Sequence, residues 1–344
     1  MLVIIKKYIF VYYVLVTLLY FSCSSNRQNL NISVRGKGSL FDDEESLDKI
    51  LDRYVENGSF PFLYARLEHL DGSVLYEHSS INTELLPNTI VHRGTWIRIW
   101  SMSKIITISL AMDLVEDGIL DLNDPVTKYI PEFNNLRVAV DDNGTSLAMR
   151  DDQSSSCPFQ LETVESVMTI SHLINHLSGF YYATTKITCL NEILSDQNLP
   201  TALNSQELID RFAALPLIQH PGEKSFYGTN TTVLGLVAER ATGKSLDSLI
   251  RERLTQFLGI EGLKYNLSDN ESLLPRFTGK DTVLRIARDG ELNIFGPDVP
   301  SNSTDNNVFL GGEGMIATAD GYADFLRMLL NRGQLNGRRF LLEN

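Results

Sequence analysis

Residues Thr95–Phe133 read TWIRIWSMSKIITISLAMDLVEDGILDLNDPVTKYIPEF, and this stretch decides the fold. Thr95–Trp100 is a short β-like run. It leads into a helix expected from about Ser101 to Asp117, with Gly118 as its natural C-terminal stop. From Ile105 to Met112 that helix carries no charge. A helix that is apolar all round is a buried one. Ser101 and Lys104 stand at its mouth, three residues apart and hence on one face. Burial disfavours the ammonium form of a lysine, and so does the positive end of the helix dipole in the first turn. Both effects push Lys104 toward a neutral amine that can act as a base on Ser101. A second Ser-x-x-Lys, Ser46–Lys49, lacks this setting. Lys49 falls between Glu45 and Arg53 on the charged face of an amphipathic helix.

Working outward, the flanking segments carry their own signals. Leu47, Ile50, Leu51, Tyr54 and Val55 fall at helical spacing and Gly58 stops the run. Leu63–Leu70 alternates, Asp71-Gly72 makes a turn and Ser73–Tyr76 resumes, which is a hairpin pattern. Residues 141–157 are polar and loop-like. Val233–Ala241 reads as a helix closed by Gly243. Thr318 caps a last helix, with Asp320 in its first turn and Gly333 after its end. No internal repeat is present.

Composition narrows the function classes. The 344 residues include 30 basic and 43 acidic ones, a formal net charge of −13. A nucleic-acid binder would show a basic footprint instead. A hydrophobic fraction of 43% suits a globular chain and is too high for a disordered one. The three cysteines, Cys23, Cys157 and Cys189, show no zinc-ribbon spacing, and with the histidines they offer no metal set.

The N-terminus reads as an address. Lys6-Lys7 precedes an uncharged run of 14 residues, Tyr8–Phe21, the layout of a signal peptide and short of a membrane span. Residues 1–22 are therefore expected to be a signal peptide, 23–45 a polar tether and 46–344 the folded domain. Leu19-Tyr-Phe-Ser-Cys23 resembles a bacterial lipoprotein cleavage box, although Tyr20 and Phe21 are bulkier than usual. That implies Cys23 as the site of lipid attachment, with the protein held to a membrane and facing the periplasm. Export would leave Cys157 and Cys189 in an oxidising compartment. Spacing alone leaves their pairing open. Seven N-x-[ST] sequons, at Asn31, Asn57, Asn143, Asn230, Asn266, Asn270 and Asn302, are read as unglycosylated positions of an Asn-rich chain.

Thr95–Phe133 looks like the nucleophile region of the serine β-lactamase-like hydrolases, which include class C β-lactamases, DD-peptidases and carboxylesterases of the same fold. Four further segments fall in that family's order. Phe60–Glu77 resembles its first hairpin. Thr169-Ile-Ser-His-Leu-Ile-Asn-His-Leu-Ser-Gly179 resembles its T-I-x-H-L-L-x-H-x-S-G. Pro221-Gly222 through Gly243 resembles its P-G-x-x-x-x-Y region. Gly311–Gly337 resembles a Gly-rich turn and a helix ending in LLN-x-G-x-L-x-G. Together they cover most of residues 46–340.

The resemblance implies a two-lobed α/β (α+β) fold, an antiparallel sheet flanked by helices plus a mostly helical subdomain. It implies Ser101 as nucleophile, Lys104 as base and Tyr227 as proton shuttle, with no cofactor and no metal. A phenol becomes such a shuttle if a cation and a helix N-terminus stabilise its phenolate. The implied partners are a small-molecule ester, amide or lactam, with peptidoglycan as a further candidate. His172 and His176 are structural in that pattern. Lactam-recognising members read Y-x-N in the second motif, whereas here Tyr227-Gly-Thr229 places threonine at that step and Asn230 one later. An esterase-like enzyme is therefore expected. A β-lactamase or DD-peptidase is the first alternative, and a non-catalytic peptidoglycan- or penicillin-binding module the second. The family's third motif, K-T-G, H-x-G or W-G-G on a later strand, has no counterpart before Asn344. The sequence is accordingly expected to lack the C-terminal part, with its later strands and one oxyanion-hole N–H.

Overall fold

A helix, a hairpin and a buried second helix set out the molecule in chain order. The computed structural model describes residues 44–149, 157–279 and 282–343. The expected signal peptide, Cys23 and all but the last two residues of the expected tether lie outside the described residues. Helix α1 (Glu44–Glu56) begins two residues before the expected domain boundary. Gly58, at φ +75°, takes the left-handed turn that follows it. The hairpin forms as read, from β1 (Phe62–Glu68) and β2 (Val74–Ile81), antiparallel with Phe62 opposite Ile81. Its turn is locked by Asp71 Oδ1, which accepts from the Ser73 amide at 2.8 Å and the Ser73 hydroxyl at 2.6 Å. Helix α1 lies on this hairpin: Tyr76 donates to Asp48 at 2.7 Å, and His78 Nε2 meets Asp52 at 2.8 Å.

The β-like run before Ser101 is shorter than its composition predicts. Strand β3 holds only Ile97–Arg98. Trp100 adopts φ +45°, a left-handed conformation that bulky residues rarely take, and it turns the chain into a 3₁₀ turn at Trp100–Met102. Helix α2 (Ser103–Glu116) follows directly. Ile106, Leu110, Ala111 and Leu114 have no exposed surface, so the reading of a buried helix holds over most of its length, while Ile105 reaches solvent.

The remaining elements close round α2. Strands β4 (Arg137–Val140) and β5 (Gln160–Thr163) pair antiparallel. Between them, in the region expected to be loop, Leu147–Met149 makes a 3₁₀ turn that buries Leu147 and Ala148. The helical part comprises α3 (Ile170–Ile174), α4 (Thr188–Gln197), α5 (Ser205–Ala213) and α6 (Asn230–Thr242), the last ended by Gly243 at φ +68°. Strands β6 (Leu263–Lys264), β7 (Phe277–Thr278), β8 (Arg285–Ile286) and β9 (Ile316–Ala317) follow, with β7 and β8 paired. Among the described residues β3, β9 and β6 form an antiparallel sheet in that order: Ala317 faces Ile97 on one side and Leu263 on the other. Thr318 caps α7 (Ala319–Leu330) by accepting from the Gly321 amide at 3.1 Å, as its sequence predicts. Leu110, Leu234, Leu246 and Met315 belong to one continuous hydrophobic core, so α2, α6 and the Gly-rich segment before β9 pack together.

Cys157 and Cys189 form a disulfide, with Cα atoms 6.1 Å apart and a sequence separation of 32. A cross-link closing a loop of that length removes chain entropy from the unfolded state worth about 3–4 kcal/mol. Reduction is expected to lower the melting temperature by several degrees in calorimetry. An unchanged melting temperature after verified reduction would show that the bridge contributes no stability.

Candidate active site

Three elements bring the expected residues together. The 3₁₀ turn presents Ser101 to solvent, and the first turn of α2 carries Lys104 into the interior, where it is 7% exposed. The loop after Pro221-Gly222 delivers Tyr227 just before α6. Tyr227 donates to Ser101 Oγ at 2.7 Å, and Lys104 Nζ lies 3.2 Å from the same oxygen. Lys104 Nζ also sits 5.0 Å from the centre of the Tyr227 ring. The tight approach of the Tyr227 loop depends on Gly228: a Cβ there would stand 2.2 Å from the Phe180 carbonyl oxygen.

The lysine environment differs from the apolar one expected. Four acceptors stand within 3.2 Å of Nζ: Ser101 Oγ, Tyr182 OH at 2.8 Å, the Gly312 carbonyl at 3.0 Å and Glu313 Oε1 at 3.2 Å. Glu313 is 4% exposed. Its second oxygen accepts from Thr232 at 2.6 Å, and Tyr182 donates to the first. Burial, with the Glu313 carboxylate beside it, pushes the Tyr182 phenol far above the ordinary tyrosine range. Tyr182 therefore stays protonated and acts as a donor. The two tyrosines beside Lys104 thus play different parts, Tyr182 buried against Glu313 and Tyr227 55% exposed against Ser101.

Neither Glu313 nor Tyr182 was assigned a role from sequence. Each lies far along the chain from Lys104. The one signal was an acid inside the apolar, Gly-rich run Phe309–Ile316. Glu313→Gln is expected to slow acylation about tenfold or more in a folded protein, since it removes the carboxylate that faces Nζ when the proton arrives there. An unchanged rate in the folded variant would make Glu313 a packing residue only.

The histidines of the Thr169–Gly179 segment are occupied in structure. His172 completes a capping box with Thr169 at the start of α3. His176 contacts Asn230 Nδ2 through Nδ1 at 3.0 Å and packs on the Tyr227 ring, centroids 4.9 Å apart. Burial, and then the charge of Lys104, lower its pKa. Asn230 itself has no exposed surface and accepts from Ser178, so it neither reaches a substrate nor leaves room for a glycan. Thr229 is likewise buried. The third position of the Y-x-N pattern is thus filled here by a buried threonine.

Comparison with known proteins gives the family. A family model described as Beta-lactamase matches residues 47–343. Protein Rv1367c of Mycobacterium tuberculosis is 29% identical over 252 residues, 73% of this chain and 58% of that protein. Monacolin J acid methylbutanoyltransferase of Aspergillus terreus is 27% identical over 242 residues, 69% of this chain and 53% of that protein. The chain therefore spans a little over half the length of these relatives. Among solved structures, EstCE1, described as a hydrolase with promiscuous acyltransferase activity, superposes with a TM-score of 0.64 at 22% identity, covering 87% of this chain and 75% of that one. That likeness supports the fold.

Proposed function

Because the chain belongs to the Beta-lactamase family, we propose that it is a serine hydrolase working through an acyl-enzyme on an ester or amide, of the esterase and acyl-transfer kind. The observation that carries this reading is Ser101 Oγ held between Tyr227 OH at 2.7 Å and Lys104 Nζ at 3.2 Å. A nucleophile within hydrogen-bond reach of a base, with the base oriented by further groups, is the general signature of covalent catalysis.

Ser101 Oγ attacks the carbonyl carbon and Lys104 takes its proton. The positive charge completed on Nζ is received by Glu313 and the Gly312 carbonyl. The bond to the leaving group breaks as Tyr227 gives that group its proton, and the acyl group stays on Ser101. Water or another acceptor then gives a proton to the Tyr227 phenolate and attacks the acyl carbon, the ester bond to Ser101 breaks, and Lys104 returns its proton to Oγ. The name methylbutanoyltransferase borne by one relative supports transfer to an acceptor other than water. Thr229 and the enclosed Asn230 support ester over lactam. A fluorophosphonate probe and a fluorescent penicillin separate the outcomes. The esterase reading expects labelling by the first and weak or no labelling by the second. Labelling by both supports a β-lactamase or DD-peptidase, and by neither a binding module. The signal-like run before Cys23 supports an exported, lipid-anchored location. A mature N-terminus found by mass spectrometry to be unlipidated at Cys23 would contradict it.

A further inference from the structure

The segment that presents Tyr227 is tied on both sides to one histidine. His176 stands just after α3. Its carbonyl accepts from the Phe226 amide at 2.7 Å, and its Nδ1 meets Asn230 Nδ2 at 3.0 Å. Its ring packs on that of Tyr227, centroids 4.9 Å apart and planes inclined by 33°. The phenol is therefore held one residue before it, three residues after it and at the ring itself. Tyr227 is more than half exposed, so its placement depends on few contacts. His176 adopts φ +58°, a left-handed conformation that persists where the surroundings over-determine it.

The direction of these bonds fixes the proton on the imidazole. Asn230 Oδ1 accepts from the Ser178 hydroxyl and, at 3.4 Å, from the Ser178 amide. With its oxygen turned to those donors, Asn230 offers its amide nitrogen to His176. Nδ1 must then accept, and the neutral ring carries its proton on Nε2. Burial and the Lys104 charge favour that neutral ring, against a smaller opposing pull from Glu313.

We infer that His176 is a positioning residue for proton transfer by Tyr227: its ring, oriented through Asn230 and Ser178, keeps the Tyr227 phenol on Ser101 Oγ and in place to serve the leaving group. In that step the phenol O–H breaks and its proton joins the leaving oxygen as the bond from that oxygen to the acyl carbon breaks. The effect on turnover rests on the reading of Ser101 as nucleophile and Tyr227 as proton donor, whereas the placement of the phenol does not.

The test compares ethyl hexanoate with p-nitrophenyl hexanoate on the intact protein. Ethoxide needs a proton in order to leave, whereas p-nitrophenolate is a stable anion and leaves without one. His176→Asn suits the left-handed backbone and removes the ring. It is expected to lower kcat/KM for the ethyl ester about tenfold and for the p-nitrophenyl ester by less than about threefold. A loss through general loosening would fall equally on both esters. Tyr227→Phe should show the same bias more strongly, and adding His176→Asn to it should cost nothing further. Equal losses on the two esters, or losses that multiply in the double variant, overturn the proposal. Should His176→Asn fail to fold by circular dichroism, His176→Gly suits the same backbone and takes its place with the same expectations. A crystal structure of the folded single variant reads the geometry without turnover. The Tyr227 hydroxyl is expected beyond hydrogen-bonding distance of Ser101 Oγ, and a phenol still bonded there overturns the proposal. A displaced phenol in a protein whose wild type cleaves neither ester defeats the hydrolase reading and leaves the positioning role standing. Ester cleavage with a phenol that stays in place does the reverse.

Discussion

Replacing Ser101 with alanine is expected to reduce ester turnover on the order of 10⁴-fold, because it removes the atom that carries the acyl group. The remaining residues still bind substrate, so the loss should fall on kcat far more than on KM. Ser103→Ala is the informative neighbour. Ser103 is two residues along and fully buried, and its hydroxyl accepts from the Met315 amide at 3.2 Å rather than facing the site. Its removal leaves a buried amide unpaired, a stability cost of about 1–3 kcal/mol, yet the folded variant should keep its turnover. Steady-state kinetics on both variants, with melting curves as a folding control, separate the two serines. Comparable turnover by Ser101→Ala and wild type would mean the nucleophile lies elsewhere.

Lys104→Arg is the second large effect. Arginine places donors opposite Glu313, so the buried carboxylate is not left alone, but a guanidinium does not give up its proton at accessible pH. If Lys104 is the base, acylation should fall by roughly 10²-fold or more while the protein still folds. Space is the complication: an added Cβ on Gly312 would already stand 3.3 Å from Nζ. Circular dichroism and the melting temperature must therefore accompany the rate. A folded Arg variant that acylates at near wild-type rate removes Lys104 as base and transfers the role to Tyr227, which already donates to Ser101 Oγ.

What could be read from sequence follows how far apart the interacting residues lie along the chain. Ser101 and Lys104 are three residues apart, and one helical turn places them together without further information. Tyr227 was marked by its place between Pro221-Gly222 and a helix. Helix ends were legible wherever a local signal set them, as at Gly58, Gly118, Gly243 and Thr318. Glu313 meets Lys104 across 209 positions, and nothing local announces that contact. The same holds for Tyr182 and Thr232, and for the pairing of Cys157 with Cys189. Strand β3 is shorter than Trp-Ile-Arg-Ile-Trp suggests because Ile99 already leaves extended backbone at φ −93°, ψ −2°, and Trp100 at φ +45° then turns the chain into the 3₁₀ turn that carries Ser101.

The central claim is that Ser101 becomes covalently acylated, and peptide mapping of the fluorophosphonate-treated intact protein tests it most directly. Intact mass should rise by one phosphonyl group per chain. Tandem mass spectrometry should place that mass on Ser101 within the peptide containing Trp100-Ser101-Met102-Ser103-Lys104, with Tyr227 and Ser103 unmodified. A stoichiometric adduct on any other residue, or none under conditions where a known serine hydrolase labels fully, would contradict the account.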